Sequence, residues 1–543
     1  MRVFLSLVFS AVLPAFLSAQ SLNERLDRIL QSEFPPDAPG ATVMVARNGE
    51  VIYHKAAGMA NLELQVPMRV NNVMEIGSIT KQFTAVAILM LMEEGKLQLD
   101  DDINNYLPDY PVGEQHITIR HLLTHTSGIH SYTSMPSWQP LWRKDLSVAE
   151  LIDVFKDEPL DFNPGESWAY SNSGYILLGA IIEKASGQSY QNFIEQRIFA
   201  KAGMLSSRYG SHKELIPMRA AGYQSGSAGY VNAEYLSMTH PYSAGSLMST
   251  VADLLTWNTA LHSGQLMQPE SLRLAFTEST LNNGEPTGYG LGWFLDEIGG
   301  SPTYEHAGGI FGFASNAIYL PDEKVYVAVL TNCDCHDPQS VATRMAAAAI
   351  GKPFPDESDI VKLDTAELRQ FVGVYEFADG TFRNISLNNG QLFSERDGRK
   401  FELHHFGDNR FYFGNGLAQM HFKLSGDEST VHFVHRGYST DGSRSAMSIP
   451  VPVNIAVPDE VLQRYVGVFN LMPNFDITFT AANGVLSTQA TGQDKYELGA
   501  ASETEFYKTE FGAKFEFIAD EDGTYNRFIL RQGGMELEGK RIR

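Results

Sequence analysis

The stretch Glu75–Lys96, EIGSITKQFTAVAILMLMEEGK, constrains the fold of this chain most. From Phe83 to Met92 the residues are apolar on nearly every face of a helix, so the helix cannot lie on a surface and must be packed among other elements. Yet it opens with Lys81, one helical turn after Ser78. Lysine is rarely buried without a partner. Side chains at i and i+3 share a face, so the amine can reach the hydroxyl. In low-dielectric surroundings an ammonium group loses part of its preference for the charged form, and its pKa falls until it can accept or relay a proton. A serine hydroxyl is a weak nucleophile that needs such a neighbour. Ser78-Ile79-Thr80-Lys81 is the only Ser-x-x-Lys in the 543 residues. The alternative, a surface serine and a solvated lysine at chance spacing, conflicts with the buried character of the helix.

Two further stretches carry chemistry. NPGESWAYSNSGY contains Tyr170-Ser171-Asn172. A tyrosine close to a lysine ammonium can be depressed toward a phenolate and act as a general base. The asparagine can donate to a substrate carbonyl and orient the lysine. Tyr-x-Asn is weak alone, and a second copy occurs at Tyr230-Val231-Asn232. Tyr170 is preferred because it follows a Pro-Gly turn and leads into an apolar helix, whereas Tyr230 lies in a Gly/Ser-rich stretch that reads as a loop. The third stretch is YEHAGGIFGF, with His306-Ala307-Gly308-Gly309. Glycines there let a strand edge approach a substrate and leave backbone N–H groups free for an oxyanion. Alone, it reads equally as a glycine-rich bulge beside a buried histidine.

Composition sets the class. Hydrophobic residues make up 43% and charged residues 19%, enough core for an ordinary globular chain of about three domains. A formal net charge of −23 argues against nucleic acid and anionic membrane surfaces as partners, because both need a basic face. Residues 1–19, MRVFLSLVFSAVLPAFLSA, show the charged, apolar and small-residue regions of a secretory signal peptide, which predicts a secreted or periplasmic protein. The alternative is an uncleaved anchor, since Leu17 is imperfect for cleavage after Ala19. No cysteine follows, which argues against a lipoprotein, and no other apolar run reaches about 20 residues. Cys333 and Cys335 in TNCDCHD are separated by one residue, poor spacing for a disulfide. With His336 adjacent a metal site is conceivable, but the expected reading is a buried strand, KVYVAVLTN, running into a loop.

The chain changes character along its length. ATVMVARNGEVIYH is two β-rich runs joined by Asn48-Gly49, a strong hairpin pattern, and Ala314–Leu330 repeats the pattern around Pro321-Asp322. Between them lie helical patterns such as VAELIDVFKD and SGYILLGAIIEKASG, the latter stopped by Gly187. Strands at both ends with helices between predict an antiparallel sheet with an inserted helical region, an α/β (α+β) two-lobe arrangement. After PQSVATRMAAAAIGKPFPDES the helical periodicity vanishes and short alternating segments take over, as in small β-barrels. These repeat: LRQFVGVYEFADGTFRNISL matches LQRYVGVFNLMPNFDITF, with Gly467 lying 94 residues after Gly373. The expected division is a catalytic domain over 20–355, one β module over 356–450 and a second over 451–543, with SIPVPVNIAVP as the linker.

In this order the three chemical stretches resemble the penicillin-recognising serine hydrolases, which carry Ser-x-x-Lys, then Ser/Tyr-x-Asn, then Lys-Thr-Gly or a variant. The tyrosine version, with ITIRHLLTHTSGI, AGSLMSTVADLLTW and YGLGWF, resembles the class C β-lactamase-like branch over roughly residues 23–350. The resemblance implies Ser78 as the acylated nucleophile, Lys81 as its proton partner and Tyr170 as the base that also protonates the leaving group. It implies Asn172, His306, Gly308 and Gly309 as substrate-binding residues, with the N–H groups of Ser78 and Gly309 forming the oxyanion hole. No cofactor is implied, and HLLTH reads as a helix entering a site-wall loop rather than a zinc pair. The third motif departs from the pattern: His306-Ala307-Gly308 replaces a permanent cation and a hydroxyl suited to a carboxylate. Histidine there, and the two β modules, resemble D-stereospecific aminopeptidases and some esterases. The expected activity is hydrolysis of small amide or peptide substrates, aminopeptidase-like and with a preference for D-residues. Promiscuous esterase or weak β-lactamase activity is the alternative, and a non-catalytic protein binding cell-wall fragments is a second one.

Overall fold

The computed structural model describes residues 22–543 apart from 397–398, 415, 446–454, 473–474, 483, 492–494, 509–512, 521–522, 533–534 and 543. The expected signal peptide and most of the SIPVPVNIAVP stretch lie outside the described residues. The chain divides into two compact units between Phe354 and Pro355.

The first unit is built on a six-stranded antiparallel sheet. Its strands are β1 (Ala41–Arg47), β2 (Glu50–Ala57), β3 (Phe294–Ile298), β4 (Ser301–Ile310), β5 (Phe313–Leu320) and β6 (Val325–Thr331), in the order β3-β4-β5-β6-β1-β2. Between β1 and β2, Asn48 and Gly49 take φ of 53° and 80°. Two successive positive φ values match the twist of the paired strands, so the Asn-Gly pair sets this hairpin. The second expected hairpin is β5–β6, with Leu320 opposite Val325 across the Pro321-Asp322 turn.

Both faces of the sheet are covered, and β1 shows why its sequence is apolar without alternation. Val43 and Val45 face a core with Leu26, Ile29, Val341 and Met345, under residues 22–33 and helix α4 (Pro338–Ala349). Met44 and Ala46 face the main core with Phe83, Ile88 and Trp257. That core holds α1 (Thr80–Glu93), α2 (Asn172–Ser186) and α3 (Val251–His262). Every residue of α1 from Thr80 to Leu91 is buried, as its all-round apolar pattern requires. Helix α2 starts where the Ser171 hydroxyl accepts from Gly174 N–H and stops at Gly187, which takes φ 71°. Among the described residues no helix is long and apolar enough to cross a membrane.

One expectation is overturned. Cys333 and Cys335 form a disulfide, with Cα atoms 5.1 Å apart. The loop after β6 bends at Asp334, whose N–H donates to Tyr223 C=O while its carboxylate accepts from Gly312 N–H and the Gln224 amide. In an extended strand the two cysteines would share a face but stand about 6.6 Å apart at their Cα atoms, and the bend draws them to 5.1 Å, near the usual disulfide separation. The strand-to-loop part of the reading holds.

The second unit contains the repeat. Eight antiparallel strands between Gly373 and Ser445 close into a barrel around Phe371, Tyr375, Phe411 and Phe422. Nine strands between Gly467 and Arg541 form one sheet around Phe469, Phe479, Phe517 and Phe528. Its two edges, Lys495–Glu497 and Gly499–Ala500, are separated only by Leu498, so this sheet nearly closes on itself. The repeat extends to side chains. Arg444 donates to Gln370 C=O and lies 5.6 Å from the Tyr375 ring; Arg541 donates to Arg464 C=O and lies 4.6 Å from the Phe469 ring.

Candidate active site

Ser78 lies in a single 3₁₀ turn, Gly77–Ile79, that feeds directly into α1. This turn packs against β4 so closely that two glycines are obligatory. Gly77 takes φ 49°, and a Cβ there would lie 2.8 Å from Gly309 N; a Cβ on Gly308 would lie 2.0 Å from Ile76 C=O. The neighbouring strand β3 pairs with β4 only over Ser301–Glu305. From His306 to Ile310 the outer edge of β4 therefore has no strand partner among the described residues, and it borders a cleft of about 380 Å³ lined by Ser78, Tyr170, His306, Gly308 and Gly309. Of the other predicted residues, Lys81 lies beneath and Asn172 beside it.

Lys81 is completely buried. Its Nζ lies 3.0 Å from Ser78 Oγ, 2.8 Å from Asn172 Oδ1 and 2.9 Å from Ala244 C=O. Three acceptors match the three donors of an ammonium group. Burial nevertheless holds the amine well below its ordinary pKa. Once neutral, Nζ keeps two donated bonds, to Asn172 and Ala244, and turns its lone pair to the Ser78 hydroxyl, the geometry of a general base. Asn172 is held in turn: its N–H donates to Ser131 Oγ at 3.1 Å and its Nδ2 to Thr133 Oγ1 at 3.0 Å. One Nδ2 hydrogen is left for a ligand.

Tyr170 differs from expectation. Its ring centroid lies 4.8 Å from Lys81 Nζ. Burial pushes the phenol above its ordinary pKa, and the Ser78 hydroxyl beside it pulls back only partly. The expected depression toward a phenolate does not occur, because desolvation disfavours the charged form of both groups. Desolvation moves the lysine toward a proton acceptor and the tyrosine toward a proton donor.

His306 is 1% exposed, and its ring is a fixed element of the cleft wall. Nδ1 lies 2.6 Å from Ala307 C=O, which can only accept, so Nδ1 carries the proton; Nε2 then accepts from the Tyr289 hydroxyl at 3.0 Å. Burial, reinforced by Lys81, lowers its pKa to about 3. The third motif therefore supplies a neutral ring where the family pattern has a cation.

The other Tyr-x-Asn spacings are elsewhere. Tyr230 is 46% exposed on a two-stranded hairpin rather than in a loop. Tyr190, in a third such spacing with Asn192, bonds Thr84 Oγ1. The two histidines of HLLTH are committed separately: His121 Nδ1 accepts from Thr118 N–H and His125 Nδ1 from Ser171 N–H. Among the described residues no group of three or more His, Cys, Asp or Glu side chains is placed to hold a metal. Sequence reasoning missed Ala244, Thr133, Tyr289 and His125. Ala244 acts through its carbonyl, which no residue type announces, although it lies in the quoted AGSLMST segment.

The comparisons agree with this geometry. The Beta-lactamase family model matches residues 30–351. Penicillin-binding protein 4* of Bacillus subtilis is 32% identical over 422 residues, covering 72% of this chain and 92% of the relative. A D-stereospecific amidohydrolase from a Streptomyces species superposes with a TM-score of 0.53 at 29% identity, over 60% of this chain and 98% of that one. An octameric penicillin-binding protein homologue from Pyrococcus abyssi shares the fold over 96% of this chain and 99% of its own, with a TM-score of 0.52 at 24% identity. The chain belongs to the Beta-lactamase family and is a hydrolase of its serine type.

Proposed function

We propose that the protein forms an acyl-enzyme at Ser78 and hydrolyses small amides or peptides, with preference for D-configured residues, outside the cytoplasm after loss of residues 1–19. The observation that carries the reading is the buried Lys81 amine 3.0 Å from Ser78 Oγ. Neutral Lys81 takes the Ser78 proton as Oγ attacks the substrate carbonyl carbon. The backbone N–H groups of Ser78 and Gly309 receive the oxyanion, each such donor contributing roughly 10²–10³-fold. As the tetrahedral intermediate collapses, the Tyr170 phenol protonates the departing amine and is reprotonated from Lys81. The amine, then neutral again, takes a proton from the water that attacks the ester and returns it to Ser78 Oγ as the acyl–oxygen bond breaks, releasing the acid and restoring Ser78. Asn172, with one free Nδ2 hydrogen, orients the substrate amide.

The D-preference rests on the likeness to the Streptomyces D-stereospecific amidohydrolase. Esterase activity is the second reading. It is favoured by a cleft wall that includes no lysine or arginine and presents His306 as a neutral ring, which suits uncharged acyl groups better than a β-lactam carboxylate.

A fluorophosphonate probe and a substrate panel test both. The probe labels wild type and not Ser78→Ala; equal labelling overturns the acyl-enzyme. D-amino acid amides are turned over faster than their L-forms and than a chromogenic cephalosporin. Fast p-nitrophenyl ester turnover with no amide turnover selects the esterase.

A further inference from the structure

Tyr170 is bracketed by a single residue. Ala169 N–H donates to His125 C=O at 3.0 Å, and Ser171 N–H donates to His125 Nδ1 at 3.1 Å. The imidazole lies 4.3 Å, centroid to centroid, from the Tyr170 ring. The residue before Tyr170, the residue after it and its own ring all rest on His125.

This placement is costly in two ways. His125 takes φ 60°, a left-handed conformation uncommon for residues other than glycine, though histidine adopts it more readily than most. Because Nδ1 accepts, the ring proton is on Nε2, and that buried atom has no hydrogen-bond partner among the described residues. The imidazole lies instead among aromatic rings, its centroid 5.1 Å from that of Tyr175 and 4.9 Å from that of Tyr289. Strain and an orphaned buried donor persist where the surroundings over-determine them, and they cluster at functional sites. Burial, with Lys81 and His306 nearby, keeps the imidazole neutral, so Nδ1 remains an acceptor.

We propose that His125 is a positioning residue for Tyr170, holding the phenol at the distance and angle needed to protonate the leaving group. The proposal rests on the proton-donor role given to Tyr170 above. A misplacement of about 1 Å in such a group costs roughly 100-fold in rate.

The test compares substitutions by their fit. His125→Gly relaxes the left-handed backbone but removes the acceptor and the ring. His125→Asn keeps a side-chain acceptor and tolerates positive φ. On an amide substrate, His125→Gly is expected to lower kcat roughly 10- to 100-fold with KM within about two-fold, and His125→Asn to restore kcat to within about five-fold of wild type. In a Tyr170→Phe background, assayed on an activated ester, His125→Gly is expected to cost less than about two-fold, because the group it positions is gone. An equal loss in both backgrounds overturns the proposal and makes His125 merely structural. Should His125→Gly not fold, a folded His125→Asn that loses more than about ten-fold in kcat overturns it alone. Ser78→Ala is the control: if it keeps wild-type turnover, the acyl-enzyme reading fails rather than this one.

Discussion

The two units of this chain bury charge in different ways. In the twin β modules two of the cations drawn into the packing are arginines set against rings: Arg383 lies 4.5 Å from Phe433 and Arg541 lies 4.6 Å from Phe469. A guanidinium cannot be deprotonated in a protein, so such contacts hold structure and do no proton chemistry. In the first unit the buried cation-former is Lys81, beside His306 and His125, both also held below their ordinary pKa. There burial lowers the amine toward its neutral form. The difference separates packing from proton chemistry: the same desolvation that a guanidinium withstands shifts a lysine toward its neutral, proton-accepting form.

Removing Lys81 sharpens this contrast most. Lys81→Met is expected to lower kcat on any substrate by roughly 10³-fold, the scale of a lost general base. The folded-state pKa of Lys81 is depressed, so between it and the unfolded value of about 10.5 the unfolded chain binds the extra proton. Wild-type stability therefore rises with pH through that window, and chemical denaturation of Lys81→Met should lack this component. An unchanged kcat would break the comparison.

Phe479→Ala tests the other side. Phe479 is fully buried among Phe469, Phe515, Phe517 and Phe528. Its truncation should cost about 3–5 kcal/mol, seen by calorimetry as a lower-temperature transition of the second unit. Gly308→Ala follows at about 1–3 kcal/mol, because the new Cβ meets a backbone carbonyl that can yield only if the Ser78 turn shifts. Its activity loss should exceed its stability loss. Gly390→Ala, at φ 79° with open space around it, should cost about 1–2 kcal/mol by backbone strain alone and leave turnover unchanged.

At neutral pH the smallest effect concerns His306. Its folded pKa near 3 is below the unfolded value near 6.5, so its contribution to stability is complete above about 6.5 and lost as pH falls toward 3. His306→Gln should flatten the acid limb of the stability profile relative to wild type. The pH–rate profile should show no His306 inflection between pH 5 and 8.

By itself the sequence determined what local geometry controls. Asn48-Gly49 specified a hairpin, Gly187 stopped α2, and the all-round apolar pattern of α1 demanded burial. The three-residue spacing put Lys81 against Ser78, and the recurrence from Gly373 to Gly467 announced twin β modules. These follow from rise per residue, backbone preference and periodicity, all readable along one dimension. Only the tertiary structure decided the rest. It brought Asn172 and the Ala244 carbonyl, 91 and 163 residues away, onto Lys81 Nζ. It bent Cys333 and Cys335 into a bond that their spacing argued against. It reversed the expected direction of the Tyr170 shift and gave His125, read as part of a site-wall loop, a place on both sides of that tyrosine. Each of these depends on which groups lose water and which backbone atoms meet across the core. Desolvation and long-range contact are properties of the packed molecule, and no residue type encodes them.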